Sequence, residues 1–229
     1  MVGGWSRRSS PEKLSGSISV VEFLSSSADG KDEQIRSFEK NLSNGIGAGE
    51  STLADDVGAD EDGNTYVTDV LGSKIWKVSP DGEPLSIIKN ATFIQRPGTW
   101  NNLIGLNGII YHPNGYLLVI HTTGGDLFKV EPRTGAVSVV KVLGSLKRGD
   151  GLELLSPTRL AVAGMPTRLV ESTDDWETAR VTGRYVGPAH RVGTSATVKD
   201  GDVYVNYVFG FGLGRKKTHV IGKAVFAPL

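Results

Sequence analysis

Asp62-Gly63-Asn64-Thr65-Tyr66-Val67-Thr68-Asp69, then Gly72-Ser73-Lys74-Ile75-Trp76-Lys77-Val78 and Pro80, is answered 52 residues later by Asn114-Gly115-Tyr116-Leu117-Leu118-Val119-Ile120-His121, then Gly124-Gly125-Asp126-Leu127-Phe128-Lys129-Val130 and Pro132. Gly63, Gly72, Lys77, Val78 and Pro80 recur as identities, and Ile75/Leu127 and Trp76/Phe128 as conservative pairs. A period of this length, built from short apolar runs and turn residues, is the mark of propeller blades. Each blade is a small antiparallel sheet that buries its faces only against its neighbours. The reading is therefore an all-β chain, a β-propeller, with function on the loops gathered at one end of its axis.

Working outward, the same rhythm divides residues 51–229 into about four blades. Strands are expected at Asp56–Ala59, Thr65–Thr68, Lys74–Val78 and Leu85–Lys89, then at Gly108–His112, Leu117–His121, Leu127–Glu131 and Val137–Val142. A third group runs Leu152–Leu155, Arg159–Ala163, Arg168–Ser172 and Thr178–Tyr185, and a fourth from Ser195 through the Asp200-Gly201 turn to His219–Phe226. Asp-Gly and Asn-Gly pairs between the runs are hairpin turns, whose central residues need positive φ. Residues 1–50 read as an N-terminal extension or partial blade. They hold a strand over Ser17–Leu24, a short helix over Asp32–Asn41, and the loop Gly45-Ile46-Gly47-Ala48-Gly49. That loop lacks the preceding strand and following helix of a phosphate-binding loop. A six-bladed ring needs roughly 240–300 residues of repeat, so the reading is of an incomplete propeller with open blade edges that favour self-association.

Composition narrows the function. Lysine plus arginine and aspartate plus glutamate each number 25, so no net field draws nucleic acid or an anionic membrane. With no cysteine, disulfides and thiolate chemistry are excluded. No apolar run approaches the ~20 residues of a membrane span, and no signal-peptide pattern follows Met1. Glycine at 30 residues is about twice its usual share of roughly 7%, which suits a turn-dense β fold.

One polar residue stands at the start of each inner strand: Asp55 in Leu53-Ala54-Asp55-Asp56-Val57, Asn107 in Leu106-Asn107-Gly108-Ile109, and Asp150 in Gly149-Asp150-Gly151-Leu152. Their spacing is about one blade each, so all three should face the axis. Two carboxylates and an amide are hard oxygen ligands suited to Ca²⁺ rather than Zn²⁺. The plainer alternative is that they hydrogen-bond the turn backbone.

From Leu53 to Phe226 the chain resembles the superfamily of senescence marker protein, gluconolactonase and paraoxonase, and within it the plant branch described as calcium-dependent phosphotriesterase-like. The residues that carry the likeness are Asp55-Asp56-Val57, the run Asp62–Asp69, Ser73–Val78, Leu106-Asn107-Gly108-Ile109, Gly149-Asp150-Gly151 and Ser195-Ala196-Thr197-Val198. The resemblance implies a six-bladed fold with an axial Ca²⁺ as cofactor, held by a first-blade Glu, two Asn and an Asp. Asn107 and Asp150 fall on two of these positions. Asp55 stands where the family motif begins with Asn, which makes the site more acidic; Glu22 and Glu50 are the candidates for the first-blade Glu. The implied activity is hydrolysis of a small-molecule lactone, ester or organophosphate, with Asp150 as the catalytic residue and Asp55, Asn107 and Asp150 as metal ligands. The competing readings are a non-catalytic propeller that binds a partner or ligand at its axial end, and an inactive truncated family member.

Overall fold

A computed structural model describes residues 18–19, 52–94, 103–209 and 220–229. The first blade is β1 (Ile18–Ser19), β2 (Ala54–Ala59), β3 (Thr65–Asp69), β4 (Lys74–Val78) and β5 (Pro84–Lys89), paired in that order. The second is β6 (Leu106–His112), β7 (Tyr116–His121), β8 (Leu127–Val130) and β9 (Val137–Leu143). The third is β10 (Gly149–Ser156), β11 (Arg159–Gly164), β12 (Thr167–Glu171) and β13 (Thr178–Tyr185). The fourth is β14 (Arg191–Lys199), β15 (Asp202–Phe209) and β16 (Val220–Lys223), and β17 (Ala227–Pro228) follows. Helical structure among the described residues is one 3-10 turn, Ala91–Phe93. This is an all-β propeller, with strands in the four expected groups. The helix at Asp32–Asn41, the glycine loop at 45–49, Glu22 and Glu50 lie outside the described residues.

Alternation along the strands explains the packing. One side of β3, β4 and β5 sends Tyr66, Ile75 and Ile88 into a cluster with Leu106, Ile109, Leu117, Val119 and Phe128 of the second blade. Phe93 meets Phe128 there edge to face, with ring centroids 5.3 Å apart. The opposite side of the first blade carries Val57, Val67, Trp76 and Val78. The second and third blades share Leu118, Ile120, Leu127, Leu152, Leu160, Val162 and Trp176. The third and fourth share Ala161, Ala163, Ala196, Val203, Val205 and Tyr207. Trp76 and Phe128 are thus packing residues, as their equivalence under the repeat implies.

Two features of the sheet differ from the expected strand groups. The outer strands β9 and β13 pair in parallel, with Thr178 opposite Lys141 and Arg180 opposite Leu143, so the second and third blades join at their rims. The chain also leaves the fourth blade early. β16 ends at Lys223, and β17 crosses back to pair with β13 at Gly183 and Arg184.

Candidate functional site

The three predicted residues occupy the same local structure. Between Ala54, opposite Asp69, and Val57, opposite Val67, β2 carries one extra residue relative to β3. β6 repeats this between Leu106 and Ile109 against His121 and Val119. β10 repeats it between Gly149 and Leu152 against Gly164 and Val162. Asp55-Asp56, Asn107-Gly108 and Asp150-Gly151 therefore fill three equivalent β-bulges on adjacent blades. A bulge bends its strand and re-aims its side chains, and bulges gather beside active sites. Strands were expected to begin only at Asp56, Gly108 and Leu152, after the three polar candidates, because the extra residue breaks the period of two. In fact β2, β6 and β10 run through them.

Backbone contact holds the bulges together. A Cβ on Gly108 would lie 2.2 Å from the Asp150 carbonyl oxygen and 2.9 Å from Gly151 Cα, so the second bulge sits on the third without room for a side chain. Asp56 and Thr68 join the first to the second. The Asp56 carboxylate accepts from the Val57 N–H at 2.9 Å and the Ile109 N–H at 3.2 Å. Thr68 Oγ1 accepts from the Asp56 N–H at 3.0 Å and donates to the Asn107 carbonyl at 2.7 Å. Above them the end loops are linked in series: Val70 N–H to Leu53 O, Gly105 N–H to Val70 O, Thr122 N–H to Gly105 O, and Arg148 N–H to Thr122 O, all at 2.7–3.0 Å.

The electrostatics follow from burial. Asp55 is pushed up to about 6 by desolvation. Asp150 is pushed up to about 7 by desolvation and then by the charge of Asp55. Asp56 is raised well above the usual range by burial, against the pull of its two backbone donors, and Asp55 and Asp150 add to the rise. Three carboxylates thus act on one another at one end of the propeller. Asp56 is committed to the backbone, which leaves Asp55 and Asp150 as the acids with no such bond among the described residues. Asn107 is 6% exposed, and its bulge lies between theirs in blade order. Among the described residues, no group of three or more His, Cys, Asp or Glu side chains is arranged to hold a metal ion. A metal here would rest on two carboxylates and the Asn107 amide.

His121, one repeat after Asp69 and at this same end, has a structural task. Its repeat equivalent Asp69 accepts at Oδ1 from the N–H groups of Leu53, Leu71 and Gly72 at 2.7–3.0 Å. Asp69 also faces Lys74 Nζ at 3.6 Å, both side chains fully buried. In the second blade His121 Nδ1 accepts from the Gly124 N–H at 3.0 Å, and desolvation lowers its pKa to about 4. It is a neutral imidazole bracing the same turn. His112 stacks on Tyr116 and its Nε2 lies 2.8 Å from the Pro157 carbonyl. His219 lies outside the described residues.

Asp56 and Thr68 were not singled out in the sequence. Their only signal is an Asp-Val pair and a Tyr-Val-Thr run in the first blade, which the second blade does not repeat. Glu153 was missed for another reason. In the apolar run Leu152–Leu155 it reads as a solvent-facing residue, yet it is fully buried between the third and fourth blades. Its Oε1 accepts from the Val198 N–H at 3.2 Å, and burial pushes its pKa up to about 8.

No helix among the described residues is long and apolar enough to cross a membrane. No family model matches the chain, and no curated protein matches it. Solved structures do. The major allergen Mala s 1 of Malassezia sympodialis aligns at 20% identity over 79% of this chain and 55% of its own, with a TM-score of 0.52. A catalytically inactive virginiamycin B lyase from Staphylococcus aureus, solved with quinupristin, aligns at 14% identity over 80% and 56%, with a TM-score of 0.51. A Bacteroides caccae protein of unknown function aligns at 20% identity over 70% and 58%, with a TM-score of 0.50. The chain spans a little over half the length of each of these structures. At such identities the likeness is one of fold, and the fold is the β-propeller.

Proposed function

We propose that this chain is a hydrolase of lactones, esters or organophosphates that works at a Ca²⁺ held by Asp55, Asn107 and Asp150. The observation that carries the reading is the set of three equivalent bulges, which present an acid, an amide and an acid from adjacent blades. Two half-buried carboxylates, both raised by desolvation and Asp150 also by the charge of Asp55, form a site short of positive charge. Their oxygens, with the Asn107 amide oxygen, are the hard donors Ca²⁺ takes. When bound, the ion polarises a carbonyl or phosphoryl oxygen as a Lewis acid. Asp150 is the residue to accept the proton of an attacking water, as the carboxylate of the third bulge beside the bound group. Asp55 and Asn107 orient the bound group, and the linked end loops keep the constellation rigid.

The test joins binding to turnover. Ca²⁺ should raise the melting temperature and a chelator should reverse the rise. The calcium-loaded chain should then hydrolyse members of a lactone and arylester panel, and Asp150→Asn should abolish that turnover. Affinity should also depend on pH in a defined direction. Both acids must be ionised to bind, and their pKa values are raised to about 6 and about 7. Calcium affinity should climb roughly tenfold per unit between pH 6 and 7, as a proton is released, and level off above about pH 7.5. An affinity flat from pH 5.5 to 8 would remove these two residues from the site.

A second reading, a non-catalytic propeller that binds a ligand at the same end, is favoured by the lack, among the described residues, of three His, Cys, Asp or Glu side chains arranged to hold a metal ion. It predicts ligand binding without turnover in the same panel.

A further inference from the structure

The third blade carries a buried cation that the acid site does not use. Arg168, on β12, is 6% exposed. Its Nη2 donates to the Lys147 carbonyl, while its Nη1 is buried with no hydrogen-bond acceptor among the described residues. Burial, and then the like charge of Arg148, draws its pKa down to about 10, so it is still a cation at neutral pH. A desolvated guanidinium with an unfilled donor and a like charge beside it is costly, and an anion accepting from Nη1 would relieve both the open donor and the repulsion.

The position of this group is as telling as its deficit. Arg168 lies opposite Val162 on β11. Two residues on, Gly164 pairs with Gly149, the neighbour of Asp150. Gly164 has φ +142°, and a Cβ there would stand 2.3 Å from the Arg148 carbonyl oxygen and 3.3 Å from Arg168 Nη1. The guanidinium nitrogen thus lies against a strip of backbone that excludes side chains, at the end of the propeller that carries Asp150. Arg148 holds a left-handed backbone (φ 62°) and is exposed on the same strip.

We propose that Arg168 and Arg148 form a receptor for a single oxyanion, a carboxylate or a phosphate, at the end of the third blade beside Asp150. The guanidinium fork matches the paired oxygens of either group, and a charge-assisted bond to Nη1 fills the orphaned donor. Arg168 fixes the anion from beneath and the exposed Arg148 closes over it. The receptor works without calcium and without turnover. A ligand that reaches both places carries an anionic group a short distance from the group presented to Asp55 and Asp150, and a neutral aliphatic ester leaves the receptor empty.

The test uses the full chain in excess chelator, so that its outcome is separate from that of the calcium reading. Thermal melting is followed against inorganic phosphate and against sodium propionate, each compared with sodium chloride at equal ionic strength. The expected result is a saturable rise of several degrees with one or both oxyanions beyond chloride, and the tighter of the two names the group. Arg168→Met should abolish the rise. Arg148→Ala, an exposed change that leaves the fold intact, should raise the midpoint concentration roughly tenfold, the loss of one charge-assisted bond. Equal melting in chloride, phosphate and propionate would overturn the proposal. So would an unchanged response in Arg168→Met or, should that variant not fold, an unchanged midpoint in Arg148→Ala.

Discussion

Replacing Gly108 with alanine should cost the chain at least about 3 kcal/mol of stability and loosen the acid site with it. A Cβ at this position meets the Asp150 carbonyl oxygen at 2.2 Å and the Leu152 nitrogen at 2.9 Å. Both are backbone atoms, so neither can yield by a rotamer change, and forcing extra atoms into a packed interface costs ~1–3 kcal/mol even where side chains can move. Relief requires the second and third bulges to part, which separates Asn107 from Asp150. Gly58→Ala is the control, because its Cβ would make only ordinary contacts, 3.4 Å or more, with Ile109, Ile110 and Tyr111. Urea unfolding should place the control within about 1 kcal/mol of the parent. If the two variants unfold at the same urea concentration, the bulges are not stacked as described.

The second large effect is a pH-dependent one at Glu153. Its carboxyl is raised from 4.5 to about 8 by burial, so the folded chain keeps a proton that the unfolded chain releases above about pH 4.5. The sign follows from linkage: with the folded value above the unfolded one, stability is lost as pH rises from about 4.5 to 8 and is steady beyond. The full difference is on the order of 5 kcal/mol for a group this deeply buried. Glutamine keeps the acceptor for the Val198 N–H and cannot ionise. Glu153→Gln should therefore match the parent at pH 5 and exceed it by several kcal/mol at pH 8. A gap between the two that stays constant from pH 5 to 8 would show that Glu153 is ionised or hydrated in the folded chain.

The fold was legible because the repeat and the turns speak the same language. Gly63 and Gly115 stand at positive φ, 82° and 94°, where the Asp-Gly and Asn-Gly pairs place the hairpins. Apolar alternation on both sides of those turns gave the strands. The bulges were hidden because one inserted residue shifts the alternation. The same residues were nonetheless found as site candidates, since a polar side chain beside glycine at blade spacing does not depend on strand phase. Pairing of β9 with β13, and the return of β17 to the third blade, depend on how two rims meet in space. No local pattern in Val137–Leu143 or Thr178–Tyr185 encodes that. Glu153 and Arg168 were illegible for a common reason: a charge inside an apolar run reads as a solvated position, and only the neighbouring blade or strip of backbone shows that it is buried.

The central claim is that Asp55, Asn107 and Asp150 act as one calcium-binding unit, and calorimetric titration of Ca²⁺ into the full chain at pH 7.5 tests it most directly. The account predicts one ion per chain, with little proton release at this pH and about one proton released when the titration is repeated near pH 6.5. Asp55→Asn, which restores the amide of the resembled family, should retain binding. Asp150→Asn should weaken it by at least roughly a hundredfold, because a charged ligand is lost. No heat of calcium binding in the parent chain, or an affinity indifferent to Asp150→Asn, would contradict the account.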